Sequence, residues 1–299
     1  MTASEIAVQF ECRHEHLIGV HHSPEAPGRT GVLIVVGGPQ YRAGSHRQFT
    51  LLARHLAQQG IATLRFDFRG MGDSTGQQRD FLNIHDDIRC ALDTFSAISP
   101  CVQEFVLWGL CDAATACAFY AHQDNRITGL VMANPWVRTE RTQAQAHMKQ
   151  YFPQRVVQLA FWKKLVSGKL NLIQAGRSFF RQYRLAQSAE PETGQELSVR
   201  MALGLRQFQG GVLIILSGND LTAREFTEAT RASEAWRQLF RRPRFSVREL
   251  DGADHTFSTR VWRDQVAHWT ADWITQEVIT RCTLREFNHG LSGTDSEPI

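Results

Sequence analysis

Short, almost wholly apolar runs recur along this chain, and each gives way to a segment with helical spacing. GVLIVVGG (31–38), IATLRFDF (61–68), EFVLWGL (104–110), TGLVMANPW (128–136), GGVLIILSG (210–218) and RFSVREL (244–250) read as strands. HRQFTLLARHLAQQG (46–60), Asn83 to Ser99, Ala113 to Ala121, Thr222 to Arg241 and Ser258 to Ile279 read as helices. Strands that alternate with helices build βαβ units, so the fold class is α/β with a mostly parallel central sheet. Strands this continuously apolar suit a sheet covered by helices on both faces. Residues 5 to 22 alternate loosely and predict an antiparallel strand pair ahead of the parallel part.

The rhythm breaks once. Residues 137–207 contain no clear strand but carry helical segments at 154–166 and 172–185. About seventy residues with few large apolar positions make a weak independent core. The reading is therefore a helical cap insertion (137–207) in a core made of 1–136 and 208–282, with a polar tail at 283–299. Such a cap would carry Phe161, Trp162, Phe179 and Phe180 toward the mouth of the site, although aromatic stripes at helical spacing more often serve packing.

Composition narrows the function. Of 299 residues, 42% are hydrophobic and 21% charged, which excludes a disordered or fibrous chain. Lys and Arg number 33 against 30 acids, so the net charge of +3 predicts no nucleic-acid or membrane surface. No apolar run approaches the ~20 residues of a membrane span. MTASEIAVQF has no basic start and predicts no secretory signal. Cys12, Cys90, Cys101, Cys111, Cys117 and Cys282 show no CxxC spacing, which argues against a zinc knuckle, a redox pair or a disulfide scaffold. A cytoplasmic protein with reduced thiols is expected.

The chemistry centres on Gly109-Leu110-Cys111-Asp112-Ala113, which follows an apolar strand and opens a helix. G-x-S-x-G in that context is a nucleophile elbow, a sharp turn that lifts the nucleophile above the sheet. Here Cys111 replaces Ser and Ala113 the second Gly, and the helix N-terminus behind the turn would favour a thiolate. An elbow needs an acid and then a His later in the chain. Asp220 follows the strand at 210–218 and His255 the strand at 244–250. Both fall at the carboxyl ends of parallel strands, where α/β sheets place their sites. Asp251 and Asp254 compete with Asp220, but an acid next to His255 in sequence rarely faces it correctly.

The backbone N–H of Asp112, rather than its carboxylate, is expected to face a developing oxyanion. A second donor should come from the loop after Gly37-Gly38. Pro39 has no N–H, so Gln40 or Gly38 remains, with Gln40 preferred. The run RFDFRGMGDSTG (65–76) reads as a structural brace. His14, His16, His21 and His22 look like an exposed strand rather than a metal site, since zinc needs three or four ligands in a closed geometry. Arg42, His46 and Arg47 read as a solvated loop. No metal or organic cofactor is expected.

Taken together, GGPQ after a strand, then DFRGMGDS, GLCDAA, GND and GADHTF resemble the α/β-hydrolase superfamily across about residues 5–280. The wording of VGGPQYRAGSHRQF, FDFRGMGDS and WGLCDAA is similar to the hydrolase 1 family associated with exosortase A systems, found beside exopolysaccharide and protein-sorting genes in Gram-negative bacteria. The resemblance implies a hydrolase with a Cys111–His255–Asp220 triad and a small-molecule ester or thioester substrate. Cys for Ser departs from the commonest superfamily pattern. Dienelactone hydrolases and polyhydroxyalkanoate synthases share that departure. Two rival readings are an acyltransferase that passes the acyl group to a sugar hydroxyl or amine, and a non-catalytic binding protein on the same scaffold. The sequence does not give the oligomeric state.

Overall fold

The computed structural model describes residues 4–38, 40–137 and 194–279. These residues form one eight-stranded sheet. Its strands are β1 (Ser4–Cys12), β2 (Glu15–Ser23), β3 (Thr30–Val35), β4 (Ala62–Phe66), β5 (Glu104–Leu110), β6 (Ile127–Ala133), β7 (Gly211–Ser217) and β8 (Phe245–Leu250). The order across the sheet is β1-β2-β4-β3-β5-β6-β7-β8. β1 pairs antiparallel with β2, and β2 antiparallel with β4. Every pairing from β4 to β8 is parallel. This is the α/β-hydrolase fold: a mostly parallel sheet with helices between its strands.

The helices are α1 (Gln48–Gln58), α2 (His85–Ile98), α3 (Asp112–Tyr120), α4 (Gly194–Gln207), α5 (Leu221–Ala232), α6 (Glu234–Phe240) and α7 (Arg260–Trp273). α2 shows why they form. Ile88, Ala91, Leu92 and Phe95 recur at helical spacing and are buried, and Asp86 and Asp87 meet the positive N-terminal end. β3, β5, β6 and β7 are buried almost throughout, as strands covered on both faces must be. One core packs Val32, Ile34 and Trp108 of the sheet against Phe49 and Leu52 of α1 and Val266 and Trp273 of α7.

Two expected helices differ from the observed ones. The helix expected from Thr222 to Arg241 is two, because Ser233 adopts an extended backbone (φ −101°, ψ 123°). Ten residues along one straight helix would hold Phe226 and Trp236 about 15 Å apart. The break instead brings their rings edge to face, with centroids 5.2 Å apart. The last helix stops at Trp273 and continues as a π-helical turn, Ile274–Ile279. β8 is an edge strand whose outer residues are exposed, so apolar Val247 is half exposed rather than covered.

The chain divides into two compact units, Met1–Trp136 with Met201–Ile299, and Val137–Arg200. The helical segments expected at 154–166 and 172–185, the tail at 283–299 and Cys282 lie outside the described residues.

Candidate active site

β5 runs straight into the elbow. Cys111 sits between β5 and α3 with φ 62° and ψ −125°, a conformation that costs a non-glycine residue about 1–3 kcal/mol. Three backbone bonds hold it there. Its N–H donates to the Ala133 carbonyl (2.9 Å), and its carbonyl accepts from Ala114 (3.1 Å) and Trp136 (3.2 Å). Close packing of helix on strand explains the small residues around it. A Cβ on Gly109 would lie 2.6 Å from Ala113 C and Ala114 N. The Cys111 side chain is half-buried against the apolar core.

Asp220 directly follows β7 and caps α5, its Oδ2 accepting from the Ala223 N–H (3.1 Å). The same oxygen lies 2.9 Å from His255 Nδ1 in the loop after β8. Burial works to raise the Asp220 carboxyl. The hydrogen bond and charge of His255, with the amides of Ala223 and Thr222, outweigh it and hold the group below the ordinary carboxylate range. Asp254 is spent differently. It accepts from the N–H groups of Thr256 (3.2 Å) and Ser258 (3.0 Å) and from the Ser258 hydroxyl, so it shapes the loop that carries His255.

A brace for that loop escaped the sequence reading. Asn134, wholly buried at the end of β6, donates from Nδ2 to Ser217 Oγ (2.8 Å) and to the His255 carbonyl (3.0 Å). Its Oδ1 accepts from the Ser217 N–H (2.8 Å), and Ser217 Oγ in turn donates to the Asp254 carbonyl (2.8 Å). One amide thus ties β6 and β7 to the His255 loop. Asn134 holds a φ of 43°, which Asn tolerates better than most residues, and nothing in the sequence around it marks the brace.

The loop after β3 differs from expectation. The Gln40 N–H turns back to the Gly37 carbonyl (3.4 Å). The Gly38 N–H is the one aimed at the elbow, and it donates to Asp112 Oδ2 (2.9 Å). Asp112 Oδ1 accepts from the Ala113 N–H (2.9 Å), so the carboxylate bridges the first turn of α3 and the Gly38 amide, one of the groups expected to face an oxyanion. Burial raises the Asp112 carboxyl above its ordinary value, against the lowering pull of the Gly38, Ala113 and Asp112 amides and the charge of His255.

RFDFRGMGDSTG acts as a brace. Arg69 grips the fully buried Asp87 through Nε (2.9 Å) and Nη2 (2.7 Å). Asp67 accepts from the Arg42 N–H (2.6 Å) and the Arg42 guanidinium, which also reaches Asp73 (2.6 Å). Arg42 is therefore a structural clamp, not part of a solvated loop. His21 and His22 are likewise buried rather than exposed, because β2 lies inside the sheet between β1 and β4. His21 Nε2 meets Ser99 Oγ (2.9 Å) and His22 Nε2 accepts from Arg65 Nε (2.9 Å), so each has a structural partner. Among the described residues no three His, Cys, Asp or Glu side chains gather into a metal site. Nor is any described helix long and apolar enough to cross a membrane.

A strained elbow over a parallel sheet, with a carboxylate–imidazole pair after the next strands, is the architecture of an α/β-hydrolase. The chain belongs to the Hydrolase_4 family, described as serine aminopeptidase, S33, which it matches over residues 30–211. That span contains the elbow and ends before Asp220 and His255. No curated protein sequence matches the chain. Among solved structures, an esterase of Pyrococcus furiosus, Pf2001, is 16% identical over 92% of each chain with a TM-score of 0.65. Est1E from Butyrivibrio proteoclasticus, solved with ferulic acid bound, is 14% identical over 91% of this chain and all of its own, at 0.62. A dienelactone hydrolase from Anabaena variabilis is 16% identical over 93% of this chain and all of its own, at 0.59.

Proposed function

We propose that the chain is an acyl hydrolase for esters or thioesters, working through a Cys111–His255–Asp220 triad and an acyl-cysteine intermediate. The observation that carries the reading is the 2.9 Å contact between His255 Nδ1 and the Asp220 carboxylate, formed in the loops that follow β7 and β8, with Cys111 on the strained elbow after β5. Asp220 fixes the imidazole so that Nδ1 holds a proton and Nε2 is the free base. Cys111 Sγ gives its proton to His255 and bonds to the substrate carbonyl carbon. The carbonyl electron pair moves onto oxygen, where the Asp112 and Gly38 amides are the donors. As that pair returns, the alcohol or thiol leaves and takes the proton from His255. Water, deprotonated by His255, then attacks the acyl carbon and Sγ departs with that proton. A thiolate leaves as a weak base, so thioesters, lactones and aryl esters suit this site better than amides.

The names of two structural relatives, an esterase and a dienelactone hydrolase, agree with ester chemistry. The resemblance to the exosortase A-associated hydrolase 1 family supports a bacterial, cytoplasmic setting near exopolysaccharide metabolism. Residues 137–207 would form the cap that sets acyl-chain preference. The test is turnover of p-nitrophenyl acetate. Cys111→Ala should abolish it with the fold intact, whereas unchanged turnover would refute the nucleophile. Burst kinetics with and without alcohol acceptors separate hydrolysis from acyl transfer to a hydroxyl.

A further inference from the structure

One of the two amides that should receive an oxyanion, that of Gly38, already has a carboxylate as its acceptor. Asp112 Oδ2 accepts from Gly38 N–H and Oδ1 from Ala113 N–H, each at 2.9 Å. These donors come from two separate pieces of chain, the loop after β3 and the first turn of α3. The chain makes room for this arrangement at a third position. A Cβ on Gly37 would collide with Asp112 Oδ1, so the carboxylate fits only because residue 37 has no side chain. On its open side Asp112 borders a groove of about 550 Å³, which Gly37, Gly38, Phe68 and Phe81 also line. The carboxylate therefore has a place to go.

We propose that the Asp112 carboxylate is the resident occupant of the oxyanion cradle, and that a substrate carbonyl gains the Gly38 amide only by displacing it. This rests on the acyl-transfer reading of Cys111. Two negative oxygens cannot share the Gly38 amide, because a donor proton serves one strong acceptor at full strength and the two charges repel across a short distance. The side chain thus competes with the transition state for the group that should stabilise it. It also places a negative charge beside Cys111 and opposes thiolate formation there. Asp112 is in this sense a further residue of the catalytic centre, one that sets its resting state. The substrates it favours are those with an activated carbonyl and enough binding area in the groove to move it aside.

The experiment compares the parent with Asp112→Ala and Asp112→Asn, using acetate as the probe. Backbone amide NMR of the full chain follows Gly38 and residue 112 during the titration. Acetate should shift both amides saturably in Asp112→Ala and leave the parent unchanged. The Cys111-dependent kcat/KM on p-nitrophenyl acetate should rise by about 10- to 100-fold in Asp112→Ala, not exceeding the roughly 10²–10³ that one oxyanion donor contributes. Asp112→Asn, neutral but of the same shape, should rise by less. Alkylation of Cys111 by iodoacetamide should accelerate in both. A folded Asp112→Ala whose turnover equals or falls below the parent's would overturn the proposal. So would acetate shifts that are the same in both proteins. If instead Cys111→Ala keeps the parent's turnover, the acyl-transfer reading fails, and the acetate titration still decides whether Asp112 fills the cradle.

Discussion

Replacing Asn134 by Ala should damage stability and turnover together, and the structure indicates by how much. Removing the amide leaves the Ser217 N–H, at the buried end of β7, without its acceptor, at a cost of about 1–3 kcal/mol. The bond to the His255 carbonyl goes as well, about 1 kcal/mol for a half-buried pair. Ala also tolerates a φ of 43° less well than Asn, which adds about 1 kcal/mol. The sum is roughly 3–5 kcal/mol, read from urea unfolding followed by tryptophan fluorescence. The loop that carries His255 then loses a tether, and a shift of about 1 Å in a positioned base costs up to about 10²-fold. That loss should appear in kcat on p-nitrophenyl acetate with KM changed little, because the acyl-binding surface is not touched. Asn134→Asp sharpens the test. Its oxygen still accepts from Ser217, but a second oxygen replaces the Nδ2 donor and faces the His255 carbonyl. It should lose at least as much stability as Asn134→Ala, because a charge is buried against a carbonyl, and as much kcat. A folded Asn134→Ala within 1 kcal/mol of the parent, with unchanged kcat, would refute the brace.

Asp220→Asn should lower kcat by several orders of magnitude and raise KM far less, since it disturbs the His255 tautomer and removes the charge that steadies the imidazolium. If Asp254→Asn has that effect and Asp220→Asn does not, the acid is misassigned. His22 should make the fold acid-sensitive: burial and the neighbouring Arg65 push its pKa down to about 4, from an ordinary 6.5. Both states are neutral above pH 6.5, so there is no penalty there. Below that the unfolded chain takes up the proton first, and stability falls by about 3 kcal/mol on reaching pH 4. His22→Gln should flatten that part of the pH–stability curve, and an unaltered slope would show that other groups cause it.

The sheet and the elbow were legible because both are written locally. Apolar runs such as 104–110 matched their strand residue for residue, since a strand covered on both faces leaves no position to polar side chains. Cys111, Asp220 and His255 stood out because each follows its own strand. What stayed hidden depends on pairs distant in sequence. Asn134 and Ser217 are 83 residues apart, and neither has a neighbour in sequence that predicts the bond. His21 and His22 read as exposed because alternation alone cannot say whether a strand lies at the edge or inside the sheet. The break at Ser233 was missed because no glycine or proline marks it. Tertiary packing of Trp236 on Phe226 decides it, not local propensity.

The loop after β3 shows why a carboxylate in the oxyanion cradle is compatible with an active site. Two of its anchors are acids that accept a backbone N–H. Asp112 takes Gly38 at one end. Asp67 takes Arg42 at the other, and the Arg42 guanidinium reinforces that end through Asp67 and Asp73. Asp67 is wholly buried, and a Cβ on Gly72 would strike its carboxylate, so it has no room to rotate away. Asp112 borders an open groove and does have room. The two anchors therefore differ in kind, one permanent and one exchangeable. When a substrate oxygen replaces Asp112 at Gly38, the loop exchanges one negative acceptor for another while Asp67 keeps its far end in place. The donor then meets the transition state without being reorganised, which is the condition under which such a hydrogen bond contributes most to rate.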